Sequence, residues 1–290
     1  MPYQAEISRV NPSCFLFMID QSRSMNETIS SGQVLTDKAS GVADIINRWL
    51  QELSLLCAKE DGVRDFYQIG VIGYGTSVKP ALSGPLAGRD LVPISDIANN
   101  PARLEERMKQ IADGAGGIVE QQVKFPIWYD AVSVGGTPMC KAAREAYRIL
   151  DCFIREHPGC FPPMIIHITD GESTDGDPTE LLRALTTLSS SDGSVLLFNI
   201  HLSSMADSPP VRFPNNPAGL RDDYAEMLFH TASPLIPSMR ALAREHGYSI
   251  SEQSRGFVLN ADMVDLIQAI DIGTRPGNRN LPALRSRSPA

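Results

Sequence analysis

Residues 14–24 read CFLFMIDQSRS. Phe15, Leu16, Phe17, Met18 and Ile19 are apolar at successive positions, so both sides of the segment require cover. An interior strand of a parallel sheet, with helices on each face, meets that demand. The run stops at Asp20, and Ser22 and Ser24 follow at alternate positions. In open α/β sheets ligands gather at the carboxyl ends of strands, so an acid and two hydroxyls there form a candidate hard-cation site. From these residues alone a second reading stays open, in which Asp20 or Ser22 only caps the next element.

The rest of the chain repeats the alternation of buried strand and amphipathic helix. Thr36-Asp37 offers an N-cap to a helix whose apolar residues Ala39, Val42, Ala43, Ile46, Trp49, Leu50, Leu53 and Leu56 recur at spacings of three and four. Trp49 lies in that stripe and is expected in the core. Strands are predicted over 66–74, 163–169, 194–202 and 256–259, with 78–82 as an edge hairpin partner. Helices are predicted over 101–112, 139–155, 178–188, 235–246 and 262–272. Gly70, Gly73 and Gly75 fall inside a strand, unlike a dinucleotide-binding turn, and point to close packing of another element. His167, between isoleucines, is expected to be a hydrogen-bonded core residue. The pattern predicts an α/β fold: a doubly wound, mostly parallel sheet with helices on both faces.

At 290 residues the chain can bury a sizeable core. One domain is expected over 10–273, after a lead of 1–9, with enlarged loops at about 83–134 and 203–234. Residues 274–290, with four arginines and no acid, are expected to be a disordered basic tail. A formal charge of -8 argues against nucleic-acid binding through a general basic field. Five dispersed cysteines without a CxxC suit reduced thiols, and no segment resembles a signal peptide or a membrane span. A cytoplasmic setting is therefore expected, rather than a secreted adhesive role.

Three separated segments belong together: Asp20-Gln-Ser22-Arg-Ser24, Gly135-Gly136-Thr137-Pro138, and Thr169-Asp170-Gly171-Glu172. Their order and placement resemble the von Willebrand factor type A domain family and its metal-ion-dependent adhesion site. The resemblance implies that Asp20, Ser22, Ser24, Thr137 and Asp170 hold a divalent cation, Mg²⁺ foremost, with Mn²⁺ or Ca²⁺ as alternatives. It also implies a partner protein that donates a Glu or Asp to the ion, in an adaptor-like module without catalysis. Cytoplasmic members look like adaptors encoded beside protein kinases, phosphatases or AAA+ ATPases, so the resemblance implies a partner of that kind. Two alternatives stand beside this: a Mg²⁺-dependent phosphohydrolase using Asp20, and a structural domain whose site is unused. A phosphohydrolase of the haloacid dehalogenase kind needs a second aspartate where Ser22 stands.

Glycines at 135 and 136 permit a turn with positive φ and close approach, presenting Thr137 at a helix start. The loop after Asp170 adds Glu172, Asp175 and Asp177. It fails as an EF-hand, with Asp175 where glycine is needed and Leu181 in place of the bidentate Glu. These carboxylates are expected to form an acidic rim. Phe125, Trp128 and Tyr129, just before the threonine loop, either cover core or meet a partner.

Overall fold

The computed structural model describes residues 2–31, 34–112, 118–202, 209–220 and 222–275. Strand β1 (Ser13–Asp20) leads to helix α1 (Lys38–Cys57), then to strands β2 (Tyr67–Tyr74) and β3 (Val78–Pro80). A long hairpin, β4 (Arg103–Ala112) and β5 (Ile118–Ile127), precedes helix α2 (Met139–Glu156) and strand β6 (Met164–Thr169). Next come α3 (Thr179–Thr187), β7 (Leu196–Leu202), β8 (Val211–Arg212) and α4 (Asp223–Thr231). The described chain closes with α5 (Pro237–Glu245), β9 (Phe257–Ala261) and α6 (Met263–Thr274).

The main sheet runs β8-β9-β7-β6-β1-β2-β3, with Val92–Pro93 also paired to β2. From β9 to β2 every neighbouring pair is parallel, and β8 and β3 add antiparallel edges. Pro80 falls in the edge strand β3, where a missing amide costs least. Strand β1 lies between β6 and β2, and all its residues are buried. Phe15, Phe17 and Ile19 share a cluster with Val42, Ile46, Trp49 and Leu50 of α1 and Leu266 and Ile270 of α6. Leu16 and Met18 turn the other way, onto Ala142, Ala146, Ile149 and Leu150 of α2. Helices thus cover both faces, and each fully buried aliphatic or Phe side chain contributes roughly 1.5–3 kcal/mol. Trp49 sits in this core as expected, its Nε1 donating to Thr274 Oγ1 at 3.1 Å.

Local signals explain the element ends. Asp37 caps α1, its carboxylate accepting the Ser40 amide at 2.7 Å. Asp262 and Asp265 form a reciprocal capping box at the start of α6. On β2, a Cβ at Gly73 would strike the Gln21 side chain, so the glycine lets the loop after β1 lie against the strand.

Residues 101–112 are not a helix. They form β4, paired antiparallel with β5 from Arg103↔Ile127 to Ala112↔Ile118. The residues are good helix formers, but a surface helix there would have had only a weak stripe to bury. In the hairpin they alternate: Glu105 and Arg107 are half-buried, while Leu104, Glu106 and Met108 are exposed. Arg107 lies 3.9 Å over the Phe125 ring and pairs with Asp44 of α1. Phe125, Trp128 and Tyr129 are all buried, Trp128 and Tyr129 within the main core and Phe125 beneath Arg107. The glycine cluster at 114–117 lies outside the described residues.

The expected loop at 203–234 contains strand β8 and helix α4, the latter capped by Asp222, which accepts the Ala225 amide at 2.6 Å. Residues 203–208 and 221, and the tail beyond 275, lie outside the described residues. The N-terminal lead is pinned where Asp192 accepts the amides of Gln4 and Ala5, each at 2.9 Å. The five cysteines are free, and no helix among the described residues is long and apolar enough to cross a membrane.

Candidate metal centre

Two of the three loops singled out in the sequence leave adjacent parallel strands. Ile19 pairs with Ile168, so Asp20 ends β1 beside Thr169, and Asp170 follows directly after β6. Asp20 is buried with both oxygens engaged: Oδ1 accepts the Ser22 amide at 2.8 Å, and Oδ2 accepts the Thr169 hydroxyl at 2.9 Å. Burial pushes its carboxyl up to about 6, against the pull of its hydrogen bonds to Ser22 and Thr169. A carboxylate removed from water in this way gains from a nearby cation.

The Ser22 and Ser24 hydroxyls stand 3.0 Å apart, and the Ser24 hydroxyl donates to Asp170 Oδ1 at 2.7 Å. Asp20, Ser22, Ser24 and Asp170 are therefore linked by hydrogen bonds, Asp20 through the Ser22 amide and the other three through their side-chain oxygens. Thr137 is held next to it through its backbone. The Arg23 amide donates to Gly135 O at 3.1 Å, tying the first loop to the second. The Thr137 amide donates to Thr174 Oγ1 and the Thr174 amide returns to Thr137 O, each at 2.9 Å, tying the second loop to the third. Gly135 has φ +96°, and a Cβ there would sit 2.5 Å from the Thr76 amide nitrogen, so glycine is required. Among the described residues the Thr137 hydroxyl makes no hydrogen bond to the other four.

The donor set is hard. Among the described residues no group of three or more His, Cys, Asp and Glu is gathered, so a cation here would rest on two carboxylates and on hydroxyls. Oxygen-only ligation suits Mg²⁺, Mn²⁺ or Ca²⁺.

Several residues that shape this site were missed in the sequence. Lys38 Nζ donates to Asp170 Oδ2 at 2.8 Å and to Glu27 Oε2 at 2.9 Å. One signal was present: a lysine directly after an N-cap stands at the positive end of a helix, where cations are disfavoured. Tyr224 of α4 donates its hydroxyl to Gly171 O at 2.6 Å and clamps the third loop. The acidic rim is smaller than expected. Asp175 caps α2, its oxygens accepting the amides of Cys140 (2.9 Å) and Lys141 (3.0 Å), and Asp177 accepts the Thr179 amide at 2.9 Å. Glu172 alone of the three is exposed without such a role.

His167 is the core residue its setting predicts, buried between Tyr74 OH (2.7 Å) and Asn199 Oδ1 (2.9 Å).

No known protein-family profile matches the chain, and no curated protein matches it. Solved structures do resemble it. The von Willebrand factor domain of the type V pili tip protein Mfa5 from Porphyromonas gingivalis is 14% identical over 56% of this chain and 39% of that one, with a TM-score of 0.32. The ArnB paralog VWA2 from Sulfolobus acidocaldarius is 17% identical over 67% and 36%, with a TM-score of 0.32. Proximal thread matrix protein 1 from the mussel byssus is 13% identical over 79% and 43%, with a TM-score of 0.38. The chain spans less than half the length of each.

Proposed function

We propose that this chain is a von Willebrand factor type A interaction module that captures an acidic side chain of a protein partner through a divalent cation, Mg²⁺ foremost. Ser22, Ser24 and Thr137 would hold the ion together with Asp20 and Asp170. The observation that carries this reading is the unbroken hydrogen-bonded set from Asp20 through Ser22 and Ser24 to Asp170, at the carboxyl ends of adjacent parallel strands. When bound, the ion supplies an electrophilic position for an external carboxylate, because neutral hydroxyls cancel none of its charge.

The surroundings suit a protein partner. Val134, which precedes the second loop and whose amide donates to Gln21 O in the first at 2.6 Å, is 55% exposed and offers apolar contact beside the charged centre. Ser22, standing where a phosphohydrolase of the haloacid dehalogenase kind needs a second aspartate, favours a binding site over that enzyme. A kinase, phosphatase or AAA+ ATPase as partner follows from the family resemblance alone, and a cytoplasmic setting from the dispersed cysteines without a CxxC.

Calorimetric titration of the full chain with MgCl₂ and MnCl₂ tests the reading. Single-site binding is expected, weakened about tenfold or more by Thr137→Ala or Asp170→Asn. If the wild-type chain binds neither ion up to about 10 mM, the proposal fails.

A further inference from the structure

Lys38 is the first residue of α1, where the helix dipole opposes a cation, and its side chain is only 3% exposed. A long ammonium side chain is held in such a place only by strong partners. Glu27 binds it twice, through Oε2 at 2.9 Å and through its carbonyl, which accepts the Lys38 amide at 3.0 Å. The Glu27 side chain is 57% exposed, so water screens its charge. The Asp170 side chain is fully buried, and at 2.8 Å it is the partner that counts.

Asp170 is thereby shared. Its Oδ2 faces Lys38, and its Oδ1 faces the Ser24 hydroxyl and the oxygen cluster. Among the described residues Lys38 makes no hydrogen bond to Asp20, Ser22, Ser24 or Thr137. The ammonium lies beside the cluster rather than within it.

We propose that Lys38 is the specificity-determining residue of the cation site: it occupies one oxygen of Asp170, loosens the grip on the divalent ion, and keeps the loaded site positive for an incoming carboxylate. This inference rests on the cation reading above. Two aspartates neutralise a divalent ion, and the buried ammonium restores a positive charge. With Lys38 on Oδ2, only Asp170 Oδ1, which accepts from the Ser24 hydroxyl, is left to turn to the ion; one oxygen suits octahedral Mg²⁺ and disfavours Ca²⁺, which gains from bidentate carboxylates. The loss in ion affinity is the counterpart of a stronger attraction for the partner's acid.

The test titrates Mn²⁺ and Ca²⁺ into the full chain as wild type, Lys38→Met and Lys38→Arg, with folding checked by circular dichroism. Lys38→Met should bind Mn²⁺ about tenfold more tightly, because a like charge on a shared carboxylate is removed. Its gain for Ca²⁺ should be larger, and Lys38→Arg should keep wild-type affinities. Damage to the fold weakens binding, so a tighter ion cannot arise from structural loss. At saturating Mn²⁺, acetate followed by paramagnetic relaxation should bind wild type about threefold more tightly than Lys38→Met. Should Lys38→Met fail to fold, Lys38→Gln replaces it. Equal or weaker Mn²⁺ affinity in a folded charge-removing variant overturns the role of Lys38 and leaves the cation reading standing. Absence of ion binding in every chain overturns both.

Discussion

Lowering the pH should weaken the sheet beneath the candidate site through His167. Asn199 donates its side-chain nitrogen to Leu228 O (2.7 Å) and Thr231 Oγ1 (3.0 Å), so its oxygen must accept from the imidazole. His167 therefore carries its proton on Nδ1, and Nε2 accepts from the Tyr74 hydroxyl. Burial pulls the imidazole down to about 4, with the Asn199 hydrogen bond acting the other way. In the unfolded chain the same group titrates near 6.5. Because the folded value is the lower one, the unfolded chain takes up its proton first as pH falls. The stabilisation is complete above about pH 6.5 and is lost progressively down to about pH 4. Between about pH 7.5 and about pH 5 the loss amounts to about 2 kcal/mol. Buried Asp20, pushed up to about 6, acts in the opposite direction in both proteins, so urea unfolding at both pH values should show wild type losing about 2 kcal/mol more than His167→Gln, which cannot gain a charge. Equal pH slopes in the two proteins would refute the reasoning.

Asp175→Ala should destabilise the start of α2, which follows Thr137, by about 1–2 kcal/mol in thermal or urea unfolding, since two amides lose their cap. An unchanged midpoint would return Asp175 to the rim. Asn47 accepts the amides of Trp128 and Tyr129 at 2.8 and 3.0 Å and donates to Tyr129 O at 2.8 Å. Asn47→Ala should cost about 3 kcal/mol and speed hydrogen exchange at the base of the β4–β5 hairpin, and unchanged exchange there would count against its role as the hairpin's anchor.

Much of the architecture could be read locally. An interior parallel strand such as β1 is an unbroken apolar run because both its faces are buried, and its end at Asp20 is marked by the change in polarity. The cap at Asp37 and the turn at Gly135 were legible for the same kind of reason, since each depends on the residue's own backbone and nearest neighbours. Strand β4 misled because its residues favour a helix in isolation, while its actual conformation depends on pairing with β5 and on Arg107 reaching Asp44 and Phe125. Helix α4 was hidden because it follows a stretch with four prolines and no periodicity of its own.

The candidate site divides along the same line. The sequence by itself determined which oxygen donors are available and that Asp20 and Asp170 end buried strands, because polarity changes along a strand are local. Only the tertiary structure decided that β1 and β6 are neighbours, that Asp175 serves a helix rather than a rim, and that Lys38, 132 residues from Asp170, shares its carboxylate. A charge takes its partner from whatever the fold packs beside it, and that choice leaves no periodicity in the chain.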